Sequence, residues 1–444
     1  MSSAADGGFV RHNCSQSRVG ICRLSLLMDR SPMSEPLHLV LVGGGHAMLP
    51  SLAHAREWTD AGIKVTLVDP QRWLYYSGMV PEHLGGVYAV DDIRVDLTKM
   101  AREAGATHVA DRATALDPEA RMVTTAEGDT IPYDVLAIDI GGVNPALPDA
   151  AVGTKPIYRV RALRPHLKQV LDAPTETLGL TIVGGGAAGV EVALNITGRF
   201  AGAGRAADLS LTIVEQSGKI LPGFPEGMRA YAARLLRERG ATIRTATTVD
   251  EVHGPDEGRA QVDMRTDSGE HDTIHPDAVL WSTGAVAPPL LRESGLSTDG
   301  RGFLHVTRRL RTPTHPRIFA AGDCGTIPEL DLDKVGVHAV KQGPDLRANL
   351  DTTVRRLAGD GSAPVASDLT VFRPYPVAPL LLSTGTRRAI WTAGPLWTAR
   401  TWSLRLKHWV DRRWIQRYAP ERWGRVGWRS LVGAEAASNP DGTE

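Results

Sequence analysis

Residues 180–193, LTIVGGGAAGVEVA, read as a buried apolar strand, a tight glycine turn and the start of a helix. Residues 39–49, LVLVGGGHAML, read the same way. At such a corner free backbone N–H groups and the positive end of the helix dipole converge, which suits a phosphate. Glycine is needed because a side chain would block a pyrophosphate or make the turn's positive φ unfavourable. The later copy is a complete GxGxxG, with Gly184, Gly186 and Gly189. The earlier copy has Gly43, Gly44 and Gly45 but Met48 in the third glycine's place. That departure predicts a slightly looser helix-to-strand contact with the phosphate site still open. Each copy leads to a second strand ending in an acid, Asp69 after IKVTLV and Glu215 after LSLTIV. A carboxylate there can accept hydrogen bonds from the adenosine ribose hydroxyls. It would also repel a 2′-phosphate, so Glu215 predicts a preference for NADH over NADPH. Two dinucleotide sites in one chain fit an enzyme that moves a hydride between two dinucleotides.

The elements that must position these residues are duplicated as well. After the first unit come short alternating segments that return as YDVLAIDIGG; after the second they return as PDAVLWSTGA. Both read as a small β-meander followed by a buried strand ending in glycine, Gly141 and Gly284. A third strand end, TPTHPRIFAAGDCG, carries Gly322 and Asp323, and a helix is expected over 338–357. The predicted fold is α/β: two Rossmann-like dinucleotide-binding domains, the first interrupted by the second, plus a C-terminal α/β tail. The boundaries are a disordered or mis-started extension at 1–36, the first domain at 37–157 and 299–369, the second at 158–298, and an interface region at 370–444.

Composition narrows the chemistry. Formal charge is zero over 444 residues, so no basic excess points to nucleic acid. No apolar run is long enough to span a bilayer as a helix. Cys14, Cys22 and Cys324 lack paired spacing and the histidines are scattered, so neither a dithiol centre nor a metal is expected. The tail differs from the rest: seven of the ten tryptophans lie between 391 and 428. Over 398–418, Trp402, Leu406, Trp409, Val410 and Trp414 form one helical stripe, with six Lys/Arg against the single acid Asp411. Such a helix suits a membrane surface. The alternative is that it packs on the first domain or closes a homodimer.

The glycine and Gly-Asp motifs resemble the two-dinucleotide-binding flavoproteins, the pyridine nucleotide-disulfide oxidoreductase superfamily. The runs VGGGHA, YYSGMVPEHLGGVY, GVHAVKQGP, LLLSTGTRRAI and LKHWVDRRW are similar to the type II NADH dehydrogenase branch. They are closer still to the flavoprotein domain fused to some selenide, water dikinases. The resemblance implies FAD in the first domain, with Asp323 at its ribityl–pyrophosphate region and Ser77, Gly78 and Met79 against the isoalloxazine. It implies NADH as co-substrate in the second domain, with Glu191 as a nicotinamide-side carboxylate. His338 begins the helix aimed at the flavin, with Lys341 and Gln342 expected on its first turn near the acceptor. The implied activity is an FAD-dependent NADH dehydrogenase that reduces a quinone, cytoplasmic or peripheral on the cytoplasmic membrane face. The alternative is a slow or non-catalytic NADH-binding flavoprotein serving as redox sensor or selenium-pathway accessory. With no second cysteine placed beside it, Cys324 is read as a packed residue.

Overall fold

The computed structural model describes residues 35–423 apart from 174, 257 and 331; most of the 1–36 extension and the end of the tail lie outside these. Two five-stranded parallel sheets organise the chain. In the first, the order is Ile318–Ala320, Val135–Ile138, His38–Val42, Lys64–Val68, Thr107–Val109. In the second it is Val152–Gly153, Ala278–Trp281, Leu178–Val183, Leu209–Val214, Thr242–Arg244. The central strands are nearly continuous Val, Leu and Ile because both faces of a parallel sheet are covered. One edge strand of the first sheet, Ile318–Ala320, comes after the whole of the second sheet in sequence, so the second unit is an insertion in the first.

In each sheet the glycine turn follows the middle strand, at the point where strand order reverses. Ligands of open α/β sheets bind outside that switch point. Gly43 and Gly184 take φ of +87° and +108°, which only glycine adopts cheaply. The two corners then diverge. After Gly186 the chain enters helix α2, Ala187–Gly202, at once. After Gly45 it makes a turn over 46–48, and helix α1 begins only at Leu49, running to Asp60. A Cβ on Gly189 would lie 2.2 Å from the Gly184 carbonyl oxygen. The extra turn removes that constraint, and Met48 is accommodated fully buried.

The two predicted meanders are antiparallel three-stranded sheets beginning at Ala113 and Thr247. Helix α3, Gly336–Asp360, starts two residues earlier than predicted and puts Lys341 and Gln342 on its second turn, not its first. Beyond it, the sheet Leu380–Ser383, Ala389–Ala393, Leu396–Arg400 leads into helix α4, Thr401–Ile415.

Candidate functional site

The strand-end acids are held alike in both units. Asp69 accepts from the Gly44 N–H at 2.6 Å and the Gln71 N–H at 2.7 Å. Glu215 accepts from the Gly185 N–H at 2.6 Å, and from the Ser217 N–H and hydroxyl at 2.8 and 2.7 Å. Each glycine turn therefore fixes its own acid beside the phosphate corner. Burial raises the Asp69 carboxyl, and the two amides counter it. Around Gly186 nothing lies within 4 Å of where a Cβ would stand, leaving the recess a pyrophosphate needs. The corresponding recess at Gly45 is filled by the carboxyl of Asp139, which the sequence reading did not single out. Laying YDVLAIDIGG over PDAVLWSTGA would have found it, because Asp139 falls opposite Ser282.

The carboxyl ends of the sheets meet across one ion pair. Lys155 follows the edge strand Val152–Gly153 of the second sheet, and Asp323 follows the edge strand Ile318–Ala320 of the first. Their charged groups are 2.5 Å apart. Beside them lies a recess lined by Gly322, Asp323, Lys334, His338 and Gln342. The Gln342 side-chain oxygen accepts the Gly322 N–H at 2.7 Å, whereas Lys341 turns away over the Tyr375 ring, 3.6 Å from its centroid. His338 is buried with Nδ1 lacking a protein partner, a free polar edge suited to a polar ligand. Gly141 and Gly284 both keep open space where a Cβ would stand. Cys324 is buried, its thiol directed to the Ile138 and Ala321 carbonyls and pushed up to about 12 by burial, so it is no ready nucleophile.

The expected flavin loop Ser77–Met79 is a short 3₁₀ turn held from three sides. His46 Nε2 accepts the Ser77 N–H at 3.3 Å, and a Cβ on Gly336 would touch Ser77 Oγ at 3.0 Å. From the third side, Lys407 of α4 donates to the Gly78 carbonyl at 2.6 Å. Lys407 is itself the centre of a buried charge cluster. It pairs with Asp411 at 2.9 Å and lies 3.7 Å from both Glu82 and Glu191. Tyr76 donates to Asp411 at 3.0 Å, and His408 pairs with Glu82 at 2.7 Å. Glu191 accepts from the Ser383 N–H and hydroxyl, and burial raises it to about 7 against the pull of Lys407. Three carboxylates face one lysine and one histidine, an arrangement able to hold a proton close to Ser77–Met79.

This cluster changes the reading of the tail helix. The inward face of α4 is Ser403, Lys407, Asp411, Trp414 and Ile415, not the tryptophan stripe. Trp414 stacks on Tyr76 at 4.2 Å, while Trp402 and Val410 remain exposed. The helix thus packs by one side on both units, at Gly78 and Glu82 of the first and Glu191 of the second, and offers the other outward.

Paired strand–glycine–helix corners, each with an acid at the next strand end and joined across a shared junction, define a two-dinucleotide oxidoreductase fold. The chain belongs to the pyridine nucleotide-disulphide oxidoreductase family, whose profile matches residues 37–343. Among similar proteins, a demethylphylloquinone reductase from Synechocystis is 27% identical over 297 residues, 64% of this chain and 71% of that one. A type II NADH:quinone oxidoreductase from Staphylococcus epidermidis is 23% identical, covering 70% of this chain and 81% of its own. The fold is shared with a sulfide:quinone oxidoreductase from Aquifex aeolicus, at 16% identity and a TM-score of 0.68 over 90% of this chain and 95% of that one. It is also shared with NDH2 from Plasmodium falciparum in complex with NADH, at 14% and 0.66 over 88% and 99%.

Proposed function

We propose that the chain is an FAD-dependent NADH dehydrogenase that passes electrons from NADH to a quinone. The observation that carries this reading is the Lys155–Asp323 pair, which brings the carboxyl ends of the two dinucleotide sheets together at one junction. FAD held there would supply a two-electron acceptor that takes hydride from the nicotinamide. The first corner, Asp69 and Asp323 fit the adenosine and ribityl–pyrophosphate parts of FAD, and His338 offers an unpartnered nitrogen at the same recess. Gly184, Gly186, Gly189 and Glu215 bind NADH, with the Glu215 carboxylate disfavouring a 2′-phosphate. Positioning dominates hydride transfer, so the residues' work is to hold two rings in contact. Quinone reduction also requires protons. The Lys407–Asp411–Glu82–Glu191 cluster is the proton-bearing group nearest the Ser77–Met79 loop, and Gln342 fixes the Gly-Asp corner. The kinship with quinone reductases supports the choice of acceptor. Trp402, Val410 and Arg413 on the outer side of α4 form the surface by which the protein docks on the cytoplasmic leaflet.

Steady-state oxidation of NADH with a soluble quinone tests the proposal. Yellow protein releasing FAD on heating, flavin bleached faster by NADH than by NADPH, and turnover above roughly one per second are expected. Turnover below about one per minute would instead favour a redox sensor, and recovery of FMN would remove the FAD assignment.

A further inference from the structure

Asp139 stands one residue beyond the last paired residue of its strand, because Val42 pairs with Ile138. In the second unit Val183 pairs with Trp281, so Ser282 holds the equivalent place. The likeness extends to the turn: a Cβ on Gly43 would strike the Asp139 carbonyl at 2.4 Å, and one on Gly184 the Ser282 carbonyl at 2.4 Å. One frame thus carries an acid at its phosphate corner where the other carries a neutral hydroxyl.

The acid occupies functional space. Asp139 Oδ2 accepts the Ala47 and Met48 N–H groups at 2.8 and 3.0 Å, amides presented by the extra turn before α1. A Cβ on Gly45 or on Gly322 would each lie 2.3 Å from this carboxyl. Both glycines whose missing side chains would admit a cofactor therefore face Asp139. It is 3% exposed. Asp69 faces it from the end of Lys64–Val68, across the strand His38–Val42, and Asp323 and Cys324 from the Gly-Asp corner, with Lys334 beyond Cys324. His46 lies on the turn and His338 on α3, and burial lowers the pKa of both. Of the two lysines at this junction, Lys155 is committed to Asp323 and Lys334 donates to the Gly325 carbonyl. A pyrophosphate would add two negative charges to a recess walled by three acids.

We propose that Asp139 shares its recess with FAD as the neutral acid, so that docking the cofactor on a site whose carboxylate is ionised takes up one proton from solvent at this carboxyl. The inference rests on the FAD reading above. Burial, opposed by the two amides and reinforced by Asp323 and Asp69, pushes the Asp139 carboxyl up to about 8. Below that value the acid is already neutral and binding costs no proton. Above it, the empty site is charged while the occupied one is protonated, so the dissociation constant rises roughly tenfold per pH unit.

The experiment dilutes full-length holoprotein at pH values from about 6.5 to 9.5 and reads released FAD by its fluorescence. Wild type should hold FAD evenly up to about pH 8 and progressively less tightly above it. Asp139→Asn should give a flat profile and bind more tightly than wild type at the alkaline end. Asp139→Ser, which copies the second unit, should also be flat. If neither variant folds, releasing FAD from wild type at alkaline pH in weak buffer with an indicator should free one proton per flavin. A flat wild-type profile, or release without a proton, overturns the proposal and means the carboxylate swings out still charged. A heat extract lacking FAD would instead sink the underlying cofactor reading.

Discussion

His46, the residue after the first glycine triplet, illustrates what one ring does at this site. It stacks on Trp414 at 5.3 Å, packs near Tyr76 and accepts the Ser77 N–H, tying the glycine turn to the Ser77–Met79 loop and to α4. Only the neutral ring can accept that bond, and burial lowers its pKa to about 4. A depressed folded value means the stabilisation is complete above the unfolded pKa, near 6.5, and is lost as pH falls toward about 4. Thermal melts of wild type should show stability falling across that window by on the order of 2–3 kcal/mol. His46→Phe keeps the stacking and should make that limb shallower without removing it, since burial lowers His38 to about 4 as well; an unchanged acid limb in this variant would assign it to other groups.

At the scale of elements, α4 is the part whose role the structure redefines. Its inner face places Lys407 among Asp411, Glu82 and Glu191, which come from α4 itself, from the short helix Val80–Leu84 and from α2. Burying charges is tolerable only while the set stays balanced. Lys407→Met would leave three buried acids with no lysine and should cost about 3–5 kcal/mol in denaturant unfolding. Lys407→Met combined with Asp411→Asn should cost less than the single change, because the partner charge leaves as well. A double variant as unstable as the sum of both singles would mean the residues act through packing alone. The same helix shows why residue pattern misleads here. Trp402 and Trp414 share a stripe in sequence, yet one is 48% exposed and the other 6%.

For the whole molecule, the question is how a chain with no membrane-crossing helix among its described residues would reach a lipid-soluble acceptor. The outer side of α4 offers Trp402 and Val410, with Arg413 and Arg417 near its end, an aromatic and basic surface of interfacial type. Truncating the tail would be a poor test, since it would also remove Lys407, Asp411 and Trp414 from the interior. Trp402→Ser with Val410→Ser alters only exposed positions. This variant should bind anionic liposomes several-fold more weakly while NADH still bleaches its flavin at the wild-type rate. Equal liposome binding would remove the anchor and leave that face to solvent or to a second copy.

What the sequence by itself determined is what contiguous residues decide. Gly43 and Gly184 must follow their strands because only glycine accepts those φ values, and Asp69 and Glu215 end strands that the apolar runs make unmistakable. The repetition of that pattern was enough to give two parallel sheets and their likeness. Tertiary structure alone decided which charges meet. Lys155 and Asp323 are 168 positions apart, and Lys407 reaches Gly78 across 329. No local period marks a lysine that turns inward, because its burial depends on carboxylates supplied by distant elements. Asp139 lies between these cases: its position was legible from the repeat, but its place in the Gly45 recess follows only when two strands, a turn and the Gly-Asp corner close around it.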